Sequence, residues 1–190
     1  IAEQMLVDWF AAAIAQAPPA QRAVFAQLGD FLHWDGMDAV TPTSKHLLDA
    51  DTRFQRLVRV AIRAVRRVIG MLLAKHERVH VIMAEGNHDP ASSIWLREWL
   101  AASFEHEPRV TVDTSADPYY CVEHGATALF FHHGHKRRPK DIDTVFAPEL
   151  QAAAAEGQAL DREEIRRWYN GYNWGPTSVY NPFDVLLLLR

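Results

Sequence analysis

Apolar residues recur at helical spacing from the start of the chain. Ile1, Met5, Leu6, Trp9, Phe10 and Ala13 fall on one stripe, and Pro18 and Pro19 end the pattern, which predicts an opening helix. A short apolar run follows, Ala23-Val24-Phe25-Ala26-Gln27-Leu28, and it stops abruptly at Gly29-Asp30. That is the expected shape of a strand buried on both faces. Polar and turn residues then continue to about Asp51.

The clearest helical period covers residues 52–75. Phe54, Leu57, Val58, Ala61, Ile62, Val65, Val68, Ile69 and Leu72 share one face, and the opposite face carries six arginines, Arg53, Arg56, Arg59, Arg63, Arg66 and Arg67. Val79-His80-Val81-Ile82-Met83-Ala84 predicts a second buried strand, ended by Glu85-Gly86-Asn87-His88-Asp89. A helix is predicted over 92–104, with Ile94, Trp95, Leu96, Trp99 and Leu100 apolar. Residues 110–112 read as a short strand, and 119–122 and 127–131 as two strands joined through a turn at 123–126. The second of these ends at His132-His133-Gly134-His135.

Three apolar strands therefore stop at a glycine beside Asp, Asn or His. In open α/β sheets ligands gather at the carboxyl ends of strands.

Beyond His135 the character changes. Residues 136–140 are basic, 151–157 are low in complexity, and a new helix is predicted with Asp161 as N-cap and Glu164 three residues on. The closing stretch is aromatic and turn-rich, and Leu186-Leu187-Leu188-Leu189-Arg190 reads as the middle of a helix. No internal repeat is visible.

Composition narrows the class. The chain has 190 residues, 48% hydrophobic and 23% charged, enough for one folded domain of ordinary size. A net charge of -4 argues against a broadly basic, nucleic-acid-coating protein while leaving room for a local basic face. A single cysteine, Cys121, excludes an intramolecular disulfide framework and a cysteine-rich zinc site. No apolar run reaches membrane-spanning length and no signal peptide is visible, so a cytoplasmic protein without membrane contact is expected. The opening Ile1, in place of methionine, fits a piece of a longer protein. Nothing in the sequence fixes an oligomeric state.

Most notable side chains have a plain structural reading. Trp95 and Trp99, at i and i+4, read as core anchors, and Cys121 as a small buried hydrophobe. His46, His76, His80, His106 and His124 read as structural or surface residues. The arginine face reads first as a solvated helix face, with contact to phosphate backbones as the sharper alternative.

Asp30, Asn87 and His133 are different, since each sits just past a buried strand. Carboxylate and amide oxygen suit a hard divalent cation, and borderline ions also accept imidazole nitrogen. This mixture from three strand ends suits a two-metal hydrolytic centre, in which a carboxylate bridges ions about 3.5–4 Å apart. His88 lies close enough in sequence to serve as general acid.

Gly29-Asp30-Phe31-Leu32-His33, Gly86-Asn87-His88-Asp89 and His133-Gly134-His135 resemble the second, third and fourth motifs of the calcineurin-like metallophosphoesterase superfamily. Residues 1–140 further resemble its phage and prophage members, and the Gly-Asp-x-x-His form is similar to its DNA-repair nucleases. The resemblance implies an α/β fold with a helix-flanked mixed β-sheet. It implies Asp30 as the metal-bridging carboxylate, Asn87 as the amide ligand and His133 as an imidazole ligand. His133 is chosen over His132 by the His-Gly-His context, since adjacent strand residues point to opposite faces. His88 would protonate the leaving oxygen, and His33 would orient His88. The implied cofactors are divalent metal ions, Mn first, with Fe, Zn and Ni as alternatives. The implied substrate is a phosphoester, with nucleic acid or a nucleotide foremost.

Two superfamily motifs have no counterpart here. An Asp-x-His is expected ahead of Ile1, and a Gly-His-x-His is expected some tens of residues past His135, where the chain has no histidine. The expectation is a partial coordination sphere and impaired phosphoester hydrolysis. The last 30 or so residues, with Trp168-Tyr169-Asn170-Gly171-Tyr172 and Tyr180-Asn181-Pro182, resemble a segment of AAA-ATPase-like proteins that often carry a PD-(D/E)XK nuclease domain. No Walker A loop accompanies it, so nucleotide binding does not carry over.

The implied organisation is a metallophosphoesterase core over 1–140, a linker over 141–160 and a mainly helical AAA-ATPase-like fragment over 161–190 that packs poorly on the core. A divergent insertion is the alternative. The alternative function is a non-catalytic interaction or assembly fragment with a vestigial site and an aromatic C-terminal binding segment.

Overall fold

The computed structural model describes residues 2–50, 52–125 and 127–137, together with residue 145 and the strand backbones at 173–174, 177–178 and 185–189. It is a mixed α/β structure built around strand β1, Arg22–Gln27. β1 pairs in parallel with β2, Arg78–Met83, which pairs in parallel with β3, Val110–Val112. Both faces of β1 are buried. Ala23 and Phe25 join one core cluster while Val24 and Ala26 join another. This explains why its sequence is continuously apolar instead of alternating.

The first cluster lies under three helices, α1 (Ala2–Gln16), α2 (Phe54–Lys75) and α3 (Pro90–Ser103). From α2 it takes Val65, Val68, Ile69 and Leu72, and from α3 Leu96 and Leu100. The second cluster lies under an antiparallel hairpin, β4 (Tyr120–His124) and β5 (Thr127–Phe131), through Tyr120, Val122 and Phe131. The layers are therefore helices, sheet and hairpin.

The stripe read on the opening helix is corrected. α1 turns Val7, Phe10 and Ile14 inward, with the Phe10 ring edge-on to Phe25 at 5.7 Å, while Met5 is 66% and Trp9 55% exposed. The helix has apolar residues on several sides, and the packed side is the one that reaches β1. Its carbonyl end is closed from outside, by the Lys75 ammonium donating to the carbonyls of Ile14, Ala15 and Ala17. Trp95 is likewise no core anchor: it is 77% exposed, and Ile94 beside it is exposed too. Trp99, one turn on, does pack against the core.

Further on, β6 (Asn173–Trp174) and β7 (Thr177–Ser178) form a two-stranded pair, and β8 (Val185–Leu189) adds antiparallel to the free side of β1. Where a helix is expected through 186–190, residues 186–189 are thus strand. A five-residue apolar run carries no period that separates the two, and the open backbone edge of β1 decides it. The expected linker over 141–160 (residue 145 apart), the Asp161 cap and the packing of Trp168, Tyr172 and Phe183 lie outside the described residues. Among the described residues no helix is long and apolar enough to cross a membrane.

Candidate functional site

The site forms where β1, β2 and β5 end. Just past β1 the backbone enters the left-handed region at Gly29 (φ 97°), Asp30 (φ 55°) and His33 (φ 67°). Two of these are not glycine, and such strain collects at functional sites. Two glycines let the loops meet. A Cβ on Gly86 would stand 2.1 Å from Asp30 Oδ1, and one on Gly29 would stand 2.5 Å from His133 Nδ1. No side chain fits at either place.

Asp30 is the hub. Its Oδ1 accepts the His88 N–H at 2.9 Å, and its Oδ2 lies 3.3 Å from His133 Nε2 and 4.0 Å from His88 Nε2. Asn87 Oδ1 lies 3.1 Å from the same His133 Nε2. His133 Nδ1 meets the Leu28 carbonyl at 2.7 Å. A carbonyl only accepts, so Nδ1 carries the proton and Nε2 is turned toward the two oxygens. A backbone partner that fixes the tautomer in this way is the usual support of a metal-ligating imidazole.

His33 and His88 form a second pair beside the hub. Their rings stack with centroids 5.0 Å apart, and His88 Nδ1 lies 3.1 Å from His33 Nδ1 and 3.2 Å from the His33 carbonyl. The carbonyl again fixes the donor. His88 Nδ1–H points to His33, which leaves Nε2 toward Asp30.

Thus Asp30, Asn87, His133, His88 and His33 come together in space from three segments. His132 does not, because it lies against Tyr119 with ring centroids 5.9 Å apart. His135 lies tilted against His133 with ring centroids 5.1 Å apart and sits 3.9 Å from Glu85 Oε1, which also pairs with Lys136. Burial holds both His132 and His135 below the ordinary histidine value, with His133 nearby adding to the effect.

Two carboxylates escaped the sequence reading. Asp89 is buried and its Oδ2 accepts the Leu32 N–H at 2.8 Å, tying the loop after β2 to the loop after β1. Burial raises its carboxyl above the usual range, and the Leu32 and Ser93 hydrogen bonds oppose that rise. Asp35 accepts the N–H groups of Ala91 at 2.6 Å and Ser92 at 2.8 Å, capping α3 from a distant segment. Asp89 had a sequence signal as the last residue of Gly86-Asn87-His88-Asp89. Asp35 had none, because its partners lie 56 and 57 positions away.

Among the described residues no group of three His, Cys, Asp or Glu side chains is placed to hold a metal ion. The donors that meet here are one carboxylate, one imidazole and one amide, a set that fits a divalent cation of hard or borderline character.

No protein-family model matches the chain, and no solved structure matches it. A protein of Azotobacter chroococcum mcd 1 described as "Uncharacterized protein in vnfD 5'region" is 60% identical over 50 residues, which are 26% of this chain and 8% of that protein. The match spans a small part of that relative.

Proposed function

We propose that this chain carries the centre of a divalent-metal-dependent phosphoester hydrolase of the calcineurin-like metallophosphoesterase type. The single observation that supports the reading is that His133 Nε2 lies 3.3 Å from Asp30 Oδ2 and 3.1 Å from Asn87 Oδ1, with the three residues supplied from just past the ends of three strands. With its Nδ1–H held by the Leu28 carbonyl, a neutral His133 turns the Nε2 lone pair toward two further oxygens, an arrangement that a shared cation satisfies.

In this reading Asp30, Asn87 and His133 hold the ion, with Mn²⁺ favoured by the oxygen-rich set and Fe, Zn and Ni as alternatives. A bound divalent ion supplies charge to the phosphoryl oxygens and lowers the pKa of water. The chain's own residues do the rest. Leu28 O keeps His133 Nε2 free of its tautomeric proton, and the His88 N–H fixes the Asp30 rotamer. His33 O holds Nδ1–H of His88, so that Nε2 faces the cleft, where the imidazolium form, protonated on both nitrogens, would give its Nε2 proton to a leaving oxygen and keep the Nδ1–H. Asp89 holds the two loops at their spacing.

Three protein donors are a partial set for one ion. The expected behaviour is weak binding at one site and low turnover of bis(p-nitrophenyl) phosphate. Mn²⁺ binding to the full chain, followed by paramagnetic resonance, tests the reading. Binding in the wild type that is lost in Asp30→Asn and His133→Ala supports it. A chain that binds no Mn²⁺ at millimolar ion leaves the non-catalytic interaction reading in its place.

A further inference from the structure

All six arginines of the α2 face, Arg53, Arg56, Arg59, Arg63, Arg66 and Arg67, are exposed. From first to last they span about 20 Å of helix at 1.5 Å per residue. An ordinary solvated helix face mixes signs, because like charges three or four apart repel while opposite pairs stabilise. α2 contains no Asp or Glu at all. Among the described residues Arg63 meets Glu3 at 3.9 Å, and Arg53, Arg56, Arg59 and Arg67 meet no carboxylate. A chain of net charge -4 thus keeps a one-sign stripe at some cost to the helix.

The stripe has an aromatic border. The Arg66 guanidinium lies 5.9 Å above the Trp99 ring, which brings α3 up to the stripe at this point. Trp95, one turn earlier on the same face of α3, is 77% exposed. A flat apolar ring held open beside a row of guanidinium groups is the composition of a surface for unpaired bases.

The stripe also has a direction. β1 and β2 are parallel, so the chain leaves β1 at the site end, and α2 returns it to the far end, where β2 begins. α2 therefore starts at the site end. There Arg53 and Phe54 line a cavity of about 400 Å³ together with Trp34, the residue after His33.

We propose that the α2–α3 face is a track for single-stranded nucleic acid, with phosphates on the arginine stripe and a base stacked on Trp95, leading toward the Asp30–His133 site. This rests on the hydrolase reading for what the site does with the strand, but not for the binding itself.

The test is binding of a fluorescein-labelled oligothymidylate to the full chain in EDTA over a range of salt. The wild type is expected to bind with an affinity that falls steeply with salt. An Arg59→Gln, Arg63→Gln, Arg67→Gln triple variant should flatten the log–log salt slope by about 2, since each phosphate contact on a single strand contributes about 0.7. The matching triple lysine variant should retain the slope. Trp95→Ala should bind about tenfold more weakly with the slope unchanged, as loss of one stacked base implies. All these side chains are exposed, and circular dichroism checks that the fold is intact.

Absence of salt-dependent binding, a wild-type slope in the glutamine variant, or tighter binding of the same sequence as a duplex would each overturn the proposal. Because EDTA removes metal, strand binding without Mn²⁺ binding refutes the site and leaves the track. Mn²⁺ binding without strand binding does the reverse.

Discussion

At Asp89 a carboxylate that is 1% exposed takes a backbone N–H from Leu32, 57 positions away in sequence, and so sets the distance between two loops of the site. Its charged form is disfavoured by burial, which raises its pKa in the folded state. The folded chain therefore holds this proton more tightly than the unfolded chain. Stability from this residue is full below the ordinary aspartate value of 3.8 and is lost as pH rises through the higher folded value. Asp89→Asn keeps an oxygen for Leu32, and its amide can donate to the Ser93 hydroxyl, which itself donates to the Asp89 carbonyl at 2.7 Å. That variant should stay within about 1 kcal/mol of wild type at neutral pH and lose the pH dependence over that window. Asp89→Ala strands the Leu32 N–H and should cost about 1–3 kcal/mol. Urea unfolding at several pH values separates the two. An asparagine variant with the wild-type pH profile would remove Asp89 as the source.

Elements were legible where one period dominated. α2 declares itself because nine apolar positions share a face with no competing pattern, and β1 and β2 because short apolar runs end at glycine. α1 and α3 were found as helices, but their buried faces were misjudged at Met5, Trp9 and Trp95. Apolar residues surround much of each helix, and which side packs depends on neighbours that are remote in sequence. The start of α3 makes the same point. Its N-cap residue, Asp89, makes no capping bond, and Asp35 supplies the acceptor from another segment. Asp35→Ala should therefore cost about 0.5–2 kcal/mol, the range for a lost N-cap, although Asp35 lies outside the helix. The loss should appear as a lower urea midpoint with an unchanged slope. An unchanged midpoint would mean that solvent caps α3 equally well. The same loop carries His33, so Mn²⁺ binding by the variant reports whether the cap also steadies the site.

Over the whole molecule, the change of character along the sequence predicts a core and a dissimilar tail joined near 140–160, whereas β8 pairs with β1 across that expected boundary. β8 pairs with β1 from Arg22↔Leu189 to Ala26↔Val185, which places the tail's apolar run on the open edge of the central strand. Nothing along the chain signals this pairing, because it depends on a backbone edge and leaves no periodic trace in a five-residue run. The arrangement has a consequence that a loosely attached tail would lack. β1 is buried on both faces, so without β8 its outward N–H and C=O groups would form a long, flat, apolar edge, the kind that recruits other chains. A chain ended before residue 185 should therefore exchange the outward-facing amides of β1 faster while those bonded to β2 stay protected. It should also scatter light at concentrations where the full chain does not. Residue-resolved hydrogen exchange with light scattering measures both. Equal exchange at the outward β1 amides in the two chains would mean that β8 does not hold the edge. If the outward amides alone lose protection, residues 185–189 are part of the sheet that positions Asp30, because the loop bearing Asp30 begins where β1 ends.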